Sequence, residues 1–498
     1  MPAGWSREGV WRVVVVRFDT GVPGKVCSLL DELGDPSTAE VELGVPEGLP
    51  VLVGPDLSVD GRLSRFFLTF APSSLATART YASTLATFFG FLGRRGRSWD
   101  EASVDDVDAF RFWRLADPGN PGRITAASFN RDLAALNRFY RWAAGRGMVA
   151  ASPVLVRKAA VGEGRFVDVP EGRVKGAKNS DVKWLTSRAF ERWRDVGLCG
   201  YLADGRRDPS WRGRNDTRNR VFVDGLWGTG LRSQEWSSVL LSELPVAGPD
   251  RRRYYTGRVA AGVAKTRARS YWMPAGVLAD IDAYVRLERR LAVHRAWDDG
   301  TYDRLRGLRV VTRVTQKRLT VSVRGRVETI PMAALDARQR RSLFRETAGG
   351  LEPLSLWLAE TGEPMSHLSW AKAFDRANDR CARLGLDGLA AHPHMLRHSY
   401  ALKMLLAAQR AYDLRLCSHL TPEELRDFRL TFGSPFDLVR HLLGHRDVQT
   451  TIDTYLEPVA GLSAEVFLNG DIDAEVSELL ASVVASSDQV LDVAGSDR

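Results

Sequence analysis

The sequence predicts a mainly α-helical protein of two successive units, with a small β-sheet confined to the second. Three observations carry this. Residues 65–156 show the 3.6-residue apolar period of helices. Residues 254–273 alternate well enough for a β-hairpin. Between the two units, Val156–Lys183 is rich in Gly, Lys and Arg with little apolar periodicity, and holds four of the chain's nine lysines. At 498 residues there is material for two or three domains with real cores.

Composition narrows the class. With 44% hydrophobic and 26% charged residues the chain reads as an ordinary soluble globular protein. A formal net charge of +9 and a pI near 9.5 point to a polyanionic partner, most simply nucleic acid. Cys27, Cys199, Cys381 and Cys417 stand far apart without a Cys-x-x-Cys pair, so neither a zinc site nor a disulfide framework is indicated, which fits a reducing cytoplasm. No run approaches the roughly 18 apolar residues of a membrane span. Val13–Val16 is a short apolar burst between Arg12 and Arg17, not a signal peptide.

In chain order, Trp11–Phe18 reads as a strand and Val26–Leu33 as a short helix, within an N-terminal extension (1–50) of unassigned role. Turn residues at Gly54-Pro55-Asp56 and Asp60-Gly61 predict a small hairpin over Pro50–Ser64. Tyr81, Leu85, Phe88 and Leu92 mark the buried face of a helix ending at Gly93 or Gly96. Val104–Trp113 forms a second helix capped by Ser103, and Phe129, Leu133, Leu136 and Tyr140 mark a third, stopped at Ser152-Pro153. The first globular unit therefore spans 51–156, and 157–183 reads as a basic linker. From Trp184 a second unit begins, with helices over Leu185–Trp193, Arg218–Leu226, Asp280–Leu291 and Trp370–Arg383. Within it, 295–350 is rich in arginine, with strands over Leu308–Val314 and Leu319–Ile330 and a helix over Leu335–Arg345.

The stretch that carries chemistry runs from Ala391 to Tyr455 and holds six of the eight histidines. It contains His-Met-Leu-Arg-His at 394–398, Leu-Gly-His at 443–445, and Tyr455 ten residues further on. On a helix His394 and Arg397 share a face, and a permanent cation beside an imidazole suits an anion such as phosphate. Upstream, Gly228-Thr229-Gly230-Leu231-Arg232-Ser233-Gln234-Glu235 reads as a glycine turn entering a helix that puts Arg232 and Glu235 on one face. Lys265, near the turn of the 254–273 hairpin, is the only lysine between Lys183 and Lys317. A metal reading of the histidines is weak. His441 and His445 are four apart but lack a glutamate between them, and His392 falls outside the helix that starts after Pro393.

In this order, the Gly-x-Arg-x-x-Glu motif, His-x-x-Arg, Leu-Gly-His and a tyrosine ten residues on resemble the tyrosine recombinase (phage integrase) family, over about residues 60–460. The resemblance implies a helical core-binding (SAM-like) domain at 51–156 plus a mixed α/β catalytic domain at 184–460, together forming a DNA clamp. The region 295–350 is an insertion relative to the minimal family domain. The tail 461–498 is then a candidate for a helix exchanged between protomers, or one that packs on its own domain. By resemblance Arg232 and Arg397 bind the scissile phosphate, Tyr455 is the nucleophile, and His394 its base or hydrogen-bond partner. Lys265 protonates the leaving 5′-oxygen (Lys317 in reserve), His445 holds a non-bridging oxygen, and Glu235 is structural. The reaction implied is strand exchange through a 3′-phosphotyrosyl bond, with no metal or other cofactor.

Candidate DNA contacts in the helical unit are Arg79, Arg94, Arg95, Arg97, Arg131 and Arg138. The implied partner is double-stranded DNA at attachment sites, engaged by a homotetramer on paired sites. The implied location is the cytoplasm, on the nucleoid, and the role is integration or excision of a mobile element. Two other readings stay open: a type IB-like topoisomerase using the same nucleophile, and a DNA-binding protein whose active site has decayed. Tyr400 and Tyr412 are alternative nucleophiles in principle, but neither follows a Leu-Gly-His element.

Overall fold

The computed structural model describes residues 10–16, 45–46, 48–70, 75–160, 166–174, 183–246, 252–265, 267–305, 307–315, 317–323, 326–416, 421, 434–444 and 490–491. The chain divides into two compact units, 1–180 and 181–498.

The first unit is a helical bundle with two small β-ladders. Strands β1 (Arg12–Val15) and β2 (Pro50–Val53) pair antiparallel, Val13 opposite Leu52. The first strand thereby packs on the unit, and Trp11 meets Phe89 edge-on at 5.3 Å. The hairpin expected over Pro50–Ser64 reduces to a turn closed by one bridge between Val53 and Val59, because β2 has its ladder with β1 instead. Helices α1 (Gly61–Leu68), α2 (Leu75–Arg94), α3 (Val104–Leu115) and α4 (Ala126–Ala144) follow. Their starts are chemically marked: Asp60, Ser103 and Thr125 each accept a backbone N–H of the first turn. The inward stripes meet in an aromatic core of Phe66, Phe88, Phe89, Phe110, Phe139 and Tyr140, all fully or nearly fully buried.

One expectation needs correction here. The stretch read as a basic linker with little apolar periodicity contains a hairpin, β3 (Val156–Ala160) and β4 (Phe166–Pro170), with Val156 opposite Pro170. The β-favouring residues Phe166, Val167 and Val169 were the signal, masked by the surrounding Gly and Lys. The chain after it is held to α4, since Asn130 both accepts the Val174 N–H (2.9 Å) and donates to its carbonyl (3.0 Å).

The second unit is mixed α/β. After β5 (Trp184–Leu185) come α5 (Ser187–Leu198), α6 (Asp216–Thr229) and the short α7 (Ser233–Ser237). The hairpin β6 (Tyr254–Val259) and β7 (Arg269–Pro274) pairs Tyr254 with Pro274 and Val259 with Arg269. Helix α8 (Ala275–Tyr284) runs through one π-helical turn, Val285–Arg289, into α9 (Arg290–Asp298) and α10 (Thr301–Arg304). A five-stranded sheet then occupies the insertion: β8 (Arg309–Val314), β9 (Arg318–Val323), β10 (Arg326–Pro331), β11 (Leu343–Thr347) and β12 (Gly350–Pro353), in the order β10-β9-β8-β11-β12.

Here too an expectation fails. Leu335–Arg345 is helical only in α11 (Ala337–Arg341), started by an Asp336/Gln339 capping box. Leu343 and Phe344 leave the helix to enter the sheet beside Arg309 and Val310, where both are fully buried. Tertiary burial overrides the local helical preference of the arginine-rich segment.

Helices α12 (His367–Arg383), α13 (Pro393–Leu416) and α14 (Pro435–Leu443) complete the described unit with β13 (Val490–Leu491), which lies parallel to β5. Of the tail 461–498 only β13 is among the described residues. The core is aromatic again: Phe222 stacks on Trp370 at 3.5 Å, and Trp236 and Trp357 pack edge-on at 5.3 Å. No helix among the described residues is long and apolar enough to cross a membrane.

Candidate active site

The site is assembled where α6 ends. Gly230 terminates that helix in the left-handed region (φ 64°), and a Cβ there would overlap the Tyr400 ring, so both the backbone angle and the packing require glycine. The chain turns through Leu231 and places Arg232, in extended conformation, at the N-cap of α7. Glu235, three residues on, accepts the Arg232 backbone N–H (2.9 Å) and a guanidinium N–H of the same residue (3.1 Å). Glu235 is thus a helix cap and an orienting group for Arg232 at once.

A second arginine, absent from the motif reading, completes this arrangement. Arg269, the first residue of β7, faces inward with Tyr271 and Met273 and grips both Glu235 oxygens, at 2.9 and 2.6 Å. Burial would raise the Glu235 pKa. The hydrogen bonds and charge of Arg269, then the charges of Arg397 and Arg232, outweigh it and hold the carboxyl below its usual range. The signal was available in the sequence. That signal is only partial: a charge on the inner face of an alternating strand needs a buried counter-charge, but which carboxylate supplies it is decided by the fold.

Arg397, on α13, is 1% exposed and bridges two distant segments. One terminal nitrogen donates to the Gly230 carbonyl (2.6 Å), the other to the Leu443 carbonyl at the end of α14 (2.5 Å). Gly444 follows in the left-handed region (φ 68°), where a Cβ would press on the Arg269 side chain. The end of α14, immediately before His445, is therefore seated on the same two arginines that border the Arg232 turn. His445 and Tyr455 themselves lie outside the described residues, as do the side chain of Tyr412 and the helix expected at Val26–Leu33.

Pro393 opens α13, and His392 just before it accepts the Met395 backbone N–H on Nδ1 (3.2 Å), acting as a cap. His394 stands at the mouth of the site, its outer edge in solvent. Its ring loses hydration against the protein and lies in the positive field of Arg397, His392, Arg232 and Lys265. In that order these causes bring its pKa down to about 4, so the imidazole is neutral near pH 7. His398 is buried beside it, the rings 4.3 Å apart. Lys265 is exposed in the loop between β6 and β7, and its charge contributes least to that field. Lys317 is exposed in the turn between β8 and β9. Tyr400 is buried against Gly230, and burial raises its hydroxyl to about 12, so it is a packing residue. Among the described residues no group of His, Cys, Asp and Glu could hold a metal ion.

The six candidate DNA contacts of the helical unit are all exposed, and each is also engaged within the unit. Arg79 donates to the Gly48 carbonyl (3.1 Å) and Arg131 to Ser128 Oγ (2.8 Å). Arg94 lies 4.9 Å from the Trp113 ring and Arg138 4.0 Å from Phe70. Arg95 and Arg97 share the buried carboxylate of Asp106, at 3.1 and 2.8 Å.

Comparison with known proteins points to the family that the motifs resemble. The family model described as the phage integrase N-terminal SAM-like domain matches residues 68–147, within the helical unit. Tyrosine recombinase XerD of Agrobacterium fabrum is 24% identical over 393 residues, covering 78% of this chain and 88% of the relative. Among solved structures, the XerH site-specific recombinase bound to palindromic difH substrate, in a post-cleavage complex, aligns with 83% of this chain and 87% of its own at 14% identity and a TM-score of 0.45. The Tn1549 transposon integrase in complex with circular intermediate DNA aligns with 81% of this chain and 98% of its own, at 14% identity and a TM-score of 0.43. At such scores neither superposition transfers a residue role. Residues 68–147 thus match the phage integrase N-terminal SAM-like domain, and the chain is similar over most of its length to a tyrosine recombinase.

Proposed function

We propose that this protein integrates or excises a mobile element by cutting and rejoining duplex DNA through a 3′-phosphotyrosyl intermediate at Tyr455. The observation that supports it best is the convergence of three segments far apart in sequence. Arg397 of α13 donates to the Gly230 carbonyl beside the Arg232 turn and to the Leu443 carbonyl just before His445. Attack on a phosphodiester gathers charge on the non-bridging oxygens, and fixed guanidinium groups lower that barrier without a metal. Arg232, held by Glu235, and Arg397 are assigned that task.

A tyrosine hydroxyl with an ordinary pKa of about 10 needs help losing its proton as it attacks. A neutral His394 in a cationic field is suited to accept it or to orient the hydroxyl. Lys265 supplies a proton to the leaving 5′-oxygen, and His445 holds a non-bridging oxygen. The phosphotyrosyl bond conserves the energy of the phosphodiester, so religation needs no nucleotide cofactor. The helical unit's arginines contact phosphates outside the cut, and a homotetramer on paired attachment sites performs the exchange.

The test is a nicked suicide substrate carrying the DNA that flanks the gene, incubated with the wild type and with Tyr455→Phe. A protein–DNA adduct that resists SDS and disappears in Tyr455→Phe is the expected result. An adduct that persists in the variant reassigns the nucleophile. Tight binding without any adduct points to the decayed DNA-binding reading.

A further inference from the structure

The insertion builds a sheet whose outer face is only half covered. Cross-strand partners share a face, so Phe344, Val310, Ser322 and Val327 form one row across β11, β8, β9 and β10. At the β11 end this row is roofed: Phe344 is fully buried among Val293, Ala296 and Tyr302 of α9 and α10. At the other end it opens to solvent, and Val327 is 68% exposed. The neighbouring row on the open half is Arg313, Thr320 and Thr329, and Arg318 follows beside them. Among the described residues of β8, β9 and β10 this face carries no carboxylate, and Glu346, two residues beyond Phe344 on β11, stands exposed at its border. Glu328, the one acidic residue of these three strands, pairs with Val321 and so belongs to the opposite face.

Position adds to charge. The turn joining β8 and β9 presents Lys317, whose carbonyl accepts the Met332 N–H (3.0 Å). One residue on, the Ala333 carbonyl accepts the Gly262 N–H (2.7 Å), at the start of the loop that carries Lys265. The basic turn and the lysine loop are therefore joined through the short 332–334 segment.

We propose that the open face of β8, β9 and β10, with Arg313 and Arg318 at its centre, is an auxiliary duplex-DNA contact that lengthens the track leading from the site. This rests on the recombinase reading. Guanidinium groups with small hydroxyl neighbours suit phosphate oxygens. The role is added grip, not cleavage.

The experiment measures anisotropy of a labelled 40-bp duplex (about four helical turns at 10–10.5 bp each) against salt. It uses the full-length wild type, Arg313→Gln/Arg318→Gln and Arg313→Lys/Arg318→Lys. Two lost phosphate contacts at about 0.9 each lower the slope of log K against log salt by about 1.8 in the Gln pair. The Lys pair keeps the wild-type slope, and adduct yield on the suicide substrate at saturating protein is unchanged in both. A Gln pair with the wild-type slope overturns the proposal and leaves that face to some other partner. A slope lost equally in the Lys pair overturns it too, because charge is then not the cause. Failure of the wild type to bind duplex at all sinks the recombinase reading, and this surface with it.

Discussion

The two units use the same residue, arginine, in opposite ways. In the helical unit the arginines singled out stand on the surface, laid over Phe70 and Trp113 or paired with Asp106, while the core is built from aromatic rings. In the second unit several arginines are themselves interior groups. Arg269, Arg289, Arg340 and Arg397 are all at most 8% exposed, and each is bonded to a carboxylate or to carbonyls from distant segments. A stretch of basic sequence therefore says little by itself. What an arginine does follows from whether the fold turns it inward, where an unpaired charge is costly, or outward, where water solvates it.

The largest effect that tests this contrast is at the Glu235–Arg269 pair. Glu235→Gln leaves Arg269, whose side chain is 5% exposed, without its counter-charge. Such a break costs about 3–5 kcal/mol, read as a lowered urea midpoint. Arg269→Met costs a similar amount, and Glu235→Leu/Arg269→Met costs less than the two singles together, because no charge is then stranded. Acid adds a check with a definite sign. The folded pKa of Glu235 lies below its unfolded value, so the pair's stabilisation is complete above about pH 4.5 and is lost as pH falls through the folded value. Glu235→Gln should flatten that acid limb. Singles costing under about 1 kcal/mol would mean the interior arginines are as loosely held as the surface ones.

The other half of the contrast is the aromatic core of the helical unit. Phe139 touches the rings of Phe66, Phe89, Trp99, Tyr140 and Trp142. Phe139→Ala should cost about 3 kcal/mol, the lower end for such a truncation, since five large rings can partly close the cavity. Measured by the same urea titration, it should exceed by several-fold any single surface arginine in that unit.

Much of this architecture could be read from sequence where a period was clean. The stripe from Tyr81 to Leu92 and the Ser103 cap rest on local chemistry, and the structure follows them with α2 and α3, whereas α4 ends at Ala144 with Gly145 as its cap, well before the stop expected at Ser152-Pro153. The Arg232 turn and the 254–273 hairpin were legible for the same reason: glycine geometry and alternation are local properties. What escaped was decided at long range. Leu343 and Phe344 sit in an arginine-rich, helix-favouring context and become a strand only because Arg309 and Val310 lie beside them. Arg269 looked like one more basic residue until its partner, 34 positions back, was brought against it. The β3–β4 hairpin was hidden by composition, since a high share of Gly and Lys surrounds two five-residue strands that lack a clean alternation.

The smallest expected effect separates stability from binding at the surface arginines. Arg95 and Arg97 are 44% and 45% exposed, while the Asp106 carboxylate they share is 1% exposed and is also bonded to Ser103. Removing either arginine leaves that carboxylate with the other arginine and its cap, so Arg95→Ala or Arg97→Ala should cost only about 0.5 kcal/mol, less at high salt. If these groups also reach DNA phosphates, each variant loses about 0.9 from the salt slope of duplex binding, a change far larger than the stability loss would suggest. Equal and small changes in both readouts would mean these arginines only fasten α3 to the end of α2. The basic character of the helical unit would then lie on other residues.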